Sequence, residues 1–170
     1  MKQLQAIDLR SVDKFRPEIR SIDFNESTKT FLVGTRGAEI IEIDAKDKKP
    51  GKALVSGHVA SSQDSELCGL ACHPTEQLFI TCGSDKKIKI WEQNKLSFSL
   101  DFAQSLYSVD WSPCGKFVIV GDNQGSIHTL VANSLKKIDS AAHKSNVKGA
   151  HIPVMDVKIS PDGKFAAFGV

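Results

Sequence analysis

Three side chains in this sequence are of the types that form a catalytic triad. Thr81, His58 and Asp85 could act as nucleophile, general base and orienting acid. Such a site needs an exposed hydroxyl and a neighbouring oxyanion site. It also leaves Trp91, six residues after Asp85, without a role. A structural network gives a role to all four residues, so we expect no catalytic residue and no enzymatic activity.

The same four residues can form a continuous series of hydrogen bonds. We expect the Asp85 carboxylate to accept from one ring nitrogen of His58, and the other ring nitrogen to meet the Thr81 hydroxyl. Thr81 would accept the indole N–H of Trp91, because a buried tryptophan needs an acceptor. The sequence therefore predicts a structural tetrad that ties the outer strands of one repeat unit to its inner strands.

A second cluster has the residue types of a zinc site. Cys68, Cys72 and His73 are close in sequence, and Cys82 follows. On one strand, residues 68 and 72 would lie about 13 Å apart, too far to share one zinc ion. The two glycines of VGTRGAE (33–39) lead into a predicted strand, whereas a phosphate site needs a helix. We expect no metal and no cofactor.

Composition and charge narrow the class of protein. The 170 residues are 41% hydrophobic and 25% charged, as in ordinary globular domains. The net charge of +2 is too small to indicate nucleic-acid binding. The apolar runs are strand-sized and the first residues show no secretory signal, so we expect no membrane partner and a cytoplasmic location. The four cysteines could pair in three ways, but we expect free thiols buried in strands.

The positions of these residues are set by a repeated pattern. The segments IRSIDFNE, LCGLACHP, LYSVDWSP and VMDVKISP end at residues 26, 74, 113 and 161. Two of the stretches that follow are PCGKFVIVG and PDGKFAAFG. Each unit has an alternating first strand, a turn with proline or glycine, an apolar second strand that ends in glycine, a third strand and a weaker fourth.

Four-stranded units of about 40 residues in series indicate an all-β fold, a WD40-type β-propeller. A closed ring needs about seven such blades, so we expect residues 1–170 to be a fragment of a propeller with three complete blades and parts of two others. The segment AIDL (6–9) would be the last strand of a preceding blade. The predicted blade-like units are about 19–56, 67–102, 106–138 and 154–170.

Only the second unit carries the complete tetrad. In the third unit, Gln124 stands at the Asp position and Leu130 at the Trp position, and in the first unit Ile43 ends the third strand. We expect these two units to depend on apolar packing instead.

Several linked motifs resemble the echinoderm microtubule-associated protein-like family. The segment SELCGLACHPTEQLFITCGSDKKIKIWEQ (65–93) is similar to that family's "ELWGLATHP" repeat with its later Asp and Trp. FLVGTRGAEIIEID (31–44) with the following Gly57-His58, and VMDVKISPDGKFAAFG (154–169), are similar too. The resemblance covers residues 17–170 and implies the tandem atypical propeller region of that family.

The resemblance implies a non-enzymatic binding module that binds tubulin or microtubules, or scaffolds other cytoskeletal proteins. It implies the cytoskeleton as the location, with the cilium as a further one. The alternative is a general WD40 protein–protein scaffold of a ciliary or trafficking assembly with no direct tubulin contact. Tubulin surfaces are acidic, so lysines in loops are candidates for the contact. The candidates are Lys46, Lys48, Lys49, Lys52, Lys86, Lys87, Lys144 and Lys148.

Overall fold

The structure is a computed structural model that describes residues 18–47, 49–56, 58, 66–142 and 151–170. Every regular element in these ranges is a β-strand. No helix long and apolar enough to cross a membrane is found in these ranges. The strands are β1 (Ile19–Asn25), β2 (Thr30–Thr35), β3 (Glu39–Asp44), β4 (Pro50–Ser56), β5 (Leu67–Cys72), β6 (Leu78–Gly83), β7 (Lys87–Glu92), β8 (Lys95–Asp101), β9 (Leu106–Trp111), β10 (Phe117–Asp122), β11 (Ser126–Val131), β12 (Lys136–Ala142), β13 (Asp156–Ile159) and β14 (Ala166–Gly169).

These strands form three four-stranded antiparallel sheets and one two-stranded sheet, each in sequence order. We call them blade 1 (β1–β4), blade 2 (β5–β8), blade 3 (β9–β12) and blade 4 (β13–β14). The first strands of successive blades contact one another, β1 with β5, β5 with β9 and β9 with β13. This arrangement of meander sheets around their first strands is that of a propeller. The predicted all-β, partial propeller is therefore confirmed.

The apolar second strands of blades 1, 2 and 3 are covered on both sides. In β10, every residue from Val118 to Asp122 is buried, and only Phe117 at its start is exposed. The largest core cluster lies between blades 2 and 3 and includes Ile80, Ile88, Trp111 and Val118. The outer strand β8 is largely exposed. Burial of both faces of an inner strand explains why its sequence is continuously apolar rather than alternating.

The repeated PxGKF motif forms the same turn in blades 3 and 4. Gly115 N–H donates to the Ser112 carbonyl and Gly163 N–H to the Ser160 carbonyl, both at 2.8 Å. Both glycines have φ of +71°, a conformation that a Cβ disfavours. The shared sequence motif therefore forms the same turn in both blades.

Two expectations from the sequence differ from the structure in detail, and a third is not tested by the described residues. The last strand of blade 3 runs to Ala142, beyond the predicted unit end at residue 138. Cys114 is exposed and lies in a turn, not buried in a strand, because the Pro113 corner takes the chain out of the sheet. The proposed strand at residues 6–9 lies outside the described residues. The cysteines at 68, 72, 82 and 114 are free thiols.

Candidate functional site

The structure brings the four tetrad residues together in blade 2. The Asp85 Oδ1 atom lies 2.8 Å from His58 Nδ1, and His58 Nε2 lies 2.8 Å from Thr81 Oγ1. The indole N–H of Trp91 donates to Thr81 Oγ1 at 2.9 Å. Thr81 lies in the second strand, Trp91 in the third and Asp85 in the turn between them. The series of hydrogen bonds therefore joins these elements to the segment that precedes β5.

Burial fixes the protonation states of the tetrad. His58 is fully buried, and this desolvation lowers the pKa of its imidazole, an effect that the Asp85 hydrogen bond offsets only in part. Burial by itself would raise the pKa of Asp85, but the hydrogen bonds from His58 and from the backbone N–H of Lys87, together with the nearby charge of Lys89, outweigh it and the pKa is lowered. A neutral imidazole donates from Nδ1 to the carboxylate and accepts the Thr81 hydroxyl proton at Nε2.

The Asp85 carboxylate also shapes the turn. Its Oδ1 atom accepts the backbone N–H of Lys87 at 3.2 Å. Its Oδ2 atom is buried and accepts no hydrogen bond among the described residues; the Lys89 Nζ atom lies 3.8 Å away. One carboxylate thus holds both the start of β7 and the buried histidine.

Blade 3 replaces the tetrad by a different carboxylate. Asp122 occupies the position in β10 that Gly83 occupies in β6, since each pairs with the first residue of its blade. Asp122 Oδ1 accepts the N–H groups of Gln124 and Ser126 at 2.9 and 2.8 Å, and Oδ2 lies 2.9 Å from His128 Nε2. The expectation that blade 3 depends on apolar packing alone is therefore wrong, because a carboxylate two residues before Gln124 holds the same turn.

Blade 1 uses a hydroxyl at the same place. The Thr35 side chain is fully buried, and its Oγ1 atom accepts the backbone N–H of Glu39 at 3.3 Å. Blade 2 has glycine there, because a Cβ at Gly83 would lie 2.6 Å from the backbone carbonyl oxygen of Glu66 and 3.0 Å from His58 Nδ1. The position therefore holds either the capping side chain or the space that the Glu66 carbonyl and the histidine need. The sequence does not reveal this position, because the repeat units are aligned on Asp85 and Trp91 and the cap lies two residues before the Asp position.

The geometry leaves the triad chemistry without an accessible nucleophile. Thr81 is fully buried, and its hydroxyl is engaged by both His58 and Trp91. Acyl transfer needs a hydroxyl that a substrate can reach. No group of three or more His, Cys, Asp or Glu side chains with metal-binding geometry is found among the described residues. Burial raises the pKa of the Cys68 thiol to about 11, and it raises that of Cys82 well above its usual value.

The candidate lysines do not lie on one surface. In an antiparallel meander, successive turns alternate between the two ends of the sheet. We call the end that carries the β1–β2 and β3–β4 turns the first end, and the end that carries the β2–β3 turns the second end. Lys46 and Lys49 are exposed beside the β3–β4 turn, at the first end. Lys86 is exposed in the β6–β7 turn, at the second end.

Two of the other candidate lysines lie in strands and not in loops. Lys87 is the first residue of β7 and forms an ion pair with Asp101. Lys52 lies within strand β4, not in a loop. The clustering of lysines predicts loops at both positions, but β4 already begins at Pro50 and β7 at Lys87. Lys48, Lys144 and Lys148 lie outside the described residues.

A charge network at the second end joins blades 1 and 2. Glu66 receives hydrogen bonds from Arg20 Nη2 at 2.7 Å and from Arg36 Nε at 2.6 Å. Arg36 Nη1 also donates to Glu18 at 2.9 Å. Two arginines and two glutamates balance here, so this network supplies cohesion between the blades rather than a basic surface.

Comparison with known proteins places this geometry in a family. A family model described as the NUP159/214 beta propeller matches residues 5–165. Echinoderm microtubule-associated protein-like 3 of Mus musculus is 30% identical over 141 residues, which cover 81% of this chain and 14% of that protein. The 77 kDa echinoderm microtubule-associated protein of Strongylocentrotus purpuratus is 32% identical over 124 residues, covering 68% of this chain and 17% of that protein.

A solved structure shows the same fold. The hydrazine synthase of Kuenenia stuttgartiensis aligns with a TM-score of 0.70 and 18% identity, covering 96% of this chain and 45% of that chain. At this identity the likeness shows the fold alone. The chain therefore belongs to the β-propeller family of the matching model, and its resemblance to the echinoderm microtubule-associated protein-like family is confirmed by homologues about 30% identical over most of its length.

Proposed function

We propose that this chain is a non-enzymatic, protein-binding propeller of a microtubule-associated protein, and that it contacts tubulin or microtubules directly. The observation that carries the proposal is the match to relatives named as microtubule-associated proteins over 68% to 81% of this chain. The chain spans only 14% to 17% of the length of those relatives. The location that follows is the cytoskeleton of the cytoplasm; the relatives' names give no support for the cilium.

Exposed cations provide a means of contact with an acidic lattice. Lys46, Lys49 and Lys86 are exposed and form no ion pair within the part of the chain that the structure describes. Their charges are therefore available to attract an acidic partner. Because Lys86 lies at the opposite end of the blades from Lys46 and Lys49, one flat partner surface can engage only one of these groups.

Charge reversal measured by co-sedimentation with microtubules tests this contact. Three variants are compared: Lys46→Glu with Lys49→Glu, Lys86→Glu, and Lys144→Glu with Lys148→Glu. We expect at least one variant to weaken binding by about fivefold or more, about 1 kcal/mol, and at least one to bind as the wild type does. Melting temperatures should not change, since exposed charges contribute little to folding.

The matched control is Lys136→Glu with Lys137→Glu, two exposed lysines on the outer strand β12. This control alters the charge of the protein as much as the paired variants do, at the start of β12 in blade 3, on a different blade from Lys46, Lys49 and Lys86. Equal weakening by the control and all three variants would indicate general electrostatic attraction. A folded wild-type protein that remains in the supernatant at low salt would contradict the proposal and favour a scaffold without tubulin contact.

A further inference from the structure

A cavity of about 300 Å³ lies between blades 2 and 3, away from the tetrad and from the lysine candidates. It opens at the first end, beside the β5–β6 and β7–β8 turns. Its wall contains no lysine or arginine among the described residues. The wall residues that matter for its chemistry are His73, Glu76, Glu92, Phe98, Trp111 and Gly115.

The cavity is acidic although the chain has a net charge of +2. Glu76 and Glu92 are exposed, and neither forms an ion pair within the described ranges. Lys95 is paired with Glu92 in the β7–β8 register, but it is not part of the wall and forms no ion pair with that glutamate. Two carboxylates without a counter-ion attract a cation.

Aromatic rings line the same cavity as these carboxylates. The Phe98 side chain is 42% exposed although it is a large apolar group, and Trp111 forms the inner part of the wall. The indole N–H of Trp111 donates to the Gly115 carbonyl at 3.0 Å, which fixes the ring. A ring face beside carboxylates suits a planar guanidinium, which stacks on the ring and donates two parallel hydrogen bonds to a carboxylate.

A ring nitrogen on the same wall has no acceptor among the described residues. His73 is only 7% exposed, and its Nδ1 atom accepts the backbone N–H groups of Thr75 and Glu76 at 3.3 and 3.0 Å. The ring proton therefore resides on Nε2. The Nε2 edge faces Gly115, where a Cβ would come within 2.3 Å of it. Nε2 makes no hydrogen bond to any described residue, so it can donate to an acceptor on a ligand.

We propose that this cavity binds an arginine side chain from an extended segment of a partner protein. The guanidinium lies against Phe98 and pairs with Glu76 and Glu92, and a backbone carbonyl of the segment accepts the proton of His73 Nε2. The site prefers a cationic partner, whereas the lysines considered above attract an acidic one. It is therefore independent of the proposed microtubule contact.

The test measures binding of the peptide Gly-Ala-Arg-Ala-Gly amide, with a fluorophore attached to its N-terminal amine, to the full-length protein by anisotropy. The comparison peptide contains citrulline, which has the same shape without the charge. We expect the citrulline peptide to bind at least tenfold more weakly. Glu76→Gln combined with Glu92→Gln should weaken binding of the arginine peptide at least tenfold, and Phe98→Leu about threefold.

The control is Glu26→Gln with Asp101→Asn, two exposed acids away from the cavity that produce the same change in charge. We expect it to bind within twofold of the wild type. A thermal melt of each variant verifies that it is folded. Equal binding of the two peptides, unchanged binding by the cavity double variant, or no binding of the arginine peptide to the folded wild type would each overturn the proposal.

Discussion

Asp110 in blade 3 accepts, through Oδ2, a 2.7 Å hydrogen bond from the backbone N–H of Ile159 in blade 4. Its other oxygen receives Lys158 Nζ at 2.9 Å. Asp23 in blade 1 makes the equivalent bond to the backbone N–H of Cys72 in blade 2, also at 2.7 Å. A carboxylate thus holds the first strands of blades 1 and 2 together, and another holds those of blades 3 and 4.

Removal of this bond between blades should destabilise the protein. We expect Asp23→Ala to lower the free energy of unfolding by about 1–3 kcal/mol, because the buried N–H of Cys72 loses its acceptor. Asp139→Ala, in the exposed strand β12, should have an effect within about 0.5 kcal/mol. Urea unfolding of the two variants measures the difference, and equal midpoints would show that the bond contributes nothing.

The tetrad and its replacement in blade 3 make a second prediction. Asp85→Ala should cost about 3 kcal/mol or more, because it leaves a buried histidine without its partner. Asp122→Ala should cost about 1–3 kcal/mol, since two backbone N–H groups and His128 lose an acceptor. Gln124→Ala should change stability by less than about 0.5 kcal/mol. If Gln124→Ala proved as costly as Asp122→Ala in the same urea experiment, the assignment of the cap to Asp122 would fail.

Stability should depend on pH through His58. Its pKa is lowered in the folded state, mainly by burial, so below about pH 6.5 the unfolded chain binds a proton that the folded chain does not. The free energy of unfolding should therefore fall from about pH 7.5 to about pH 5.5, by at most about 1.4 kcal/mol per pH unit from this group. His58→Gln should have a shallower dependence. Parallel curves for the two proteins would contradict the neutral, buried imidazole.

The lowered pKa of Asp85 affects the free energy of unfolding in a lower range of pH than His58 does. Its contribution is present above the unfolded value of about 3.9 and is lost as the pH falls through the folded value. Denaturation measured from about pH 5 downwards should therefore show a second loss of stability in the wild type. That second loss should be smaller in Asp85→Asn, which carries no titrating carboxylate.

Two glycines of identical conformation allow the cost of backbone strain to be measured separately from the cost of a steric clash. Gly115 and Gly163 both have φ of +71°, but a Cβ at Gly115 would lie 2.3 Å from His73 Nε2, whereas at Gly163 the nearest atom, Pro113 Cδ, would be 3.9 Å away. Gly163→Ala should cost about 1 kcal/mol from the left-handed backbone alone. Gly115→Ala should cost at least about 1 kcal/mol more. Thermal or urea unfolding of both variants measures this, and equal costs would mean that His73 moves away freely.

The sequence was sufficient for the fold and for the tetrad for a physical reason. A buried Trp, Thr, His and Asp must satisfy one another's hydrogen bonds, so their spacing within one unit indicates their contacts. The repeated proline and glycine turns specify a backbone without regard to neighbours. The order of the strands followed from these local signals.

Other features depend on neighbours that no local pattern reveals. The cap by Asp122 lies two residues from the expected position, and only the register of β9 with β10 identifies it. The acidic cavity joins Glu76 and Glu92 of blade 2 to Trp111 of blade 3, so it exists only after two blades pack. The positions of Lys46 and Lys86 at opposite ends likewise follow from the meander and not from charge spacing.

The most direct test of the account is co-sedimentation of the full-length protein with microtubules at low and at high salt. We predict that the protein pellets with microtubules at about 0.05 M salt and largely remains in the supernatant at about 0.3 M, because screening weakens contacts between exposed charges. A folded protein that stays in the supernatant at both salt concentrations would contradict the account.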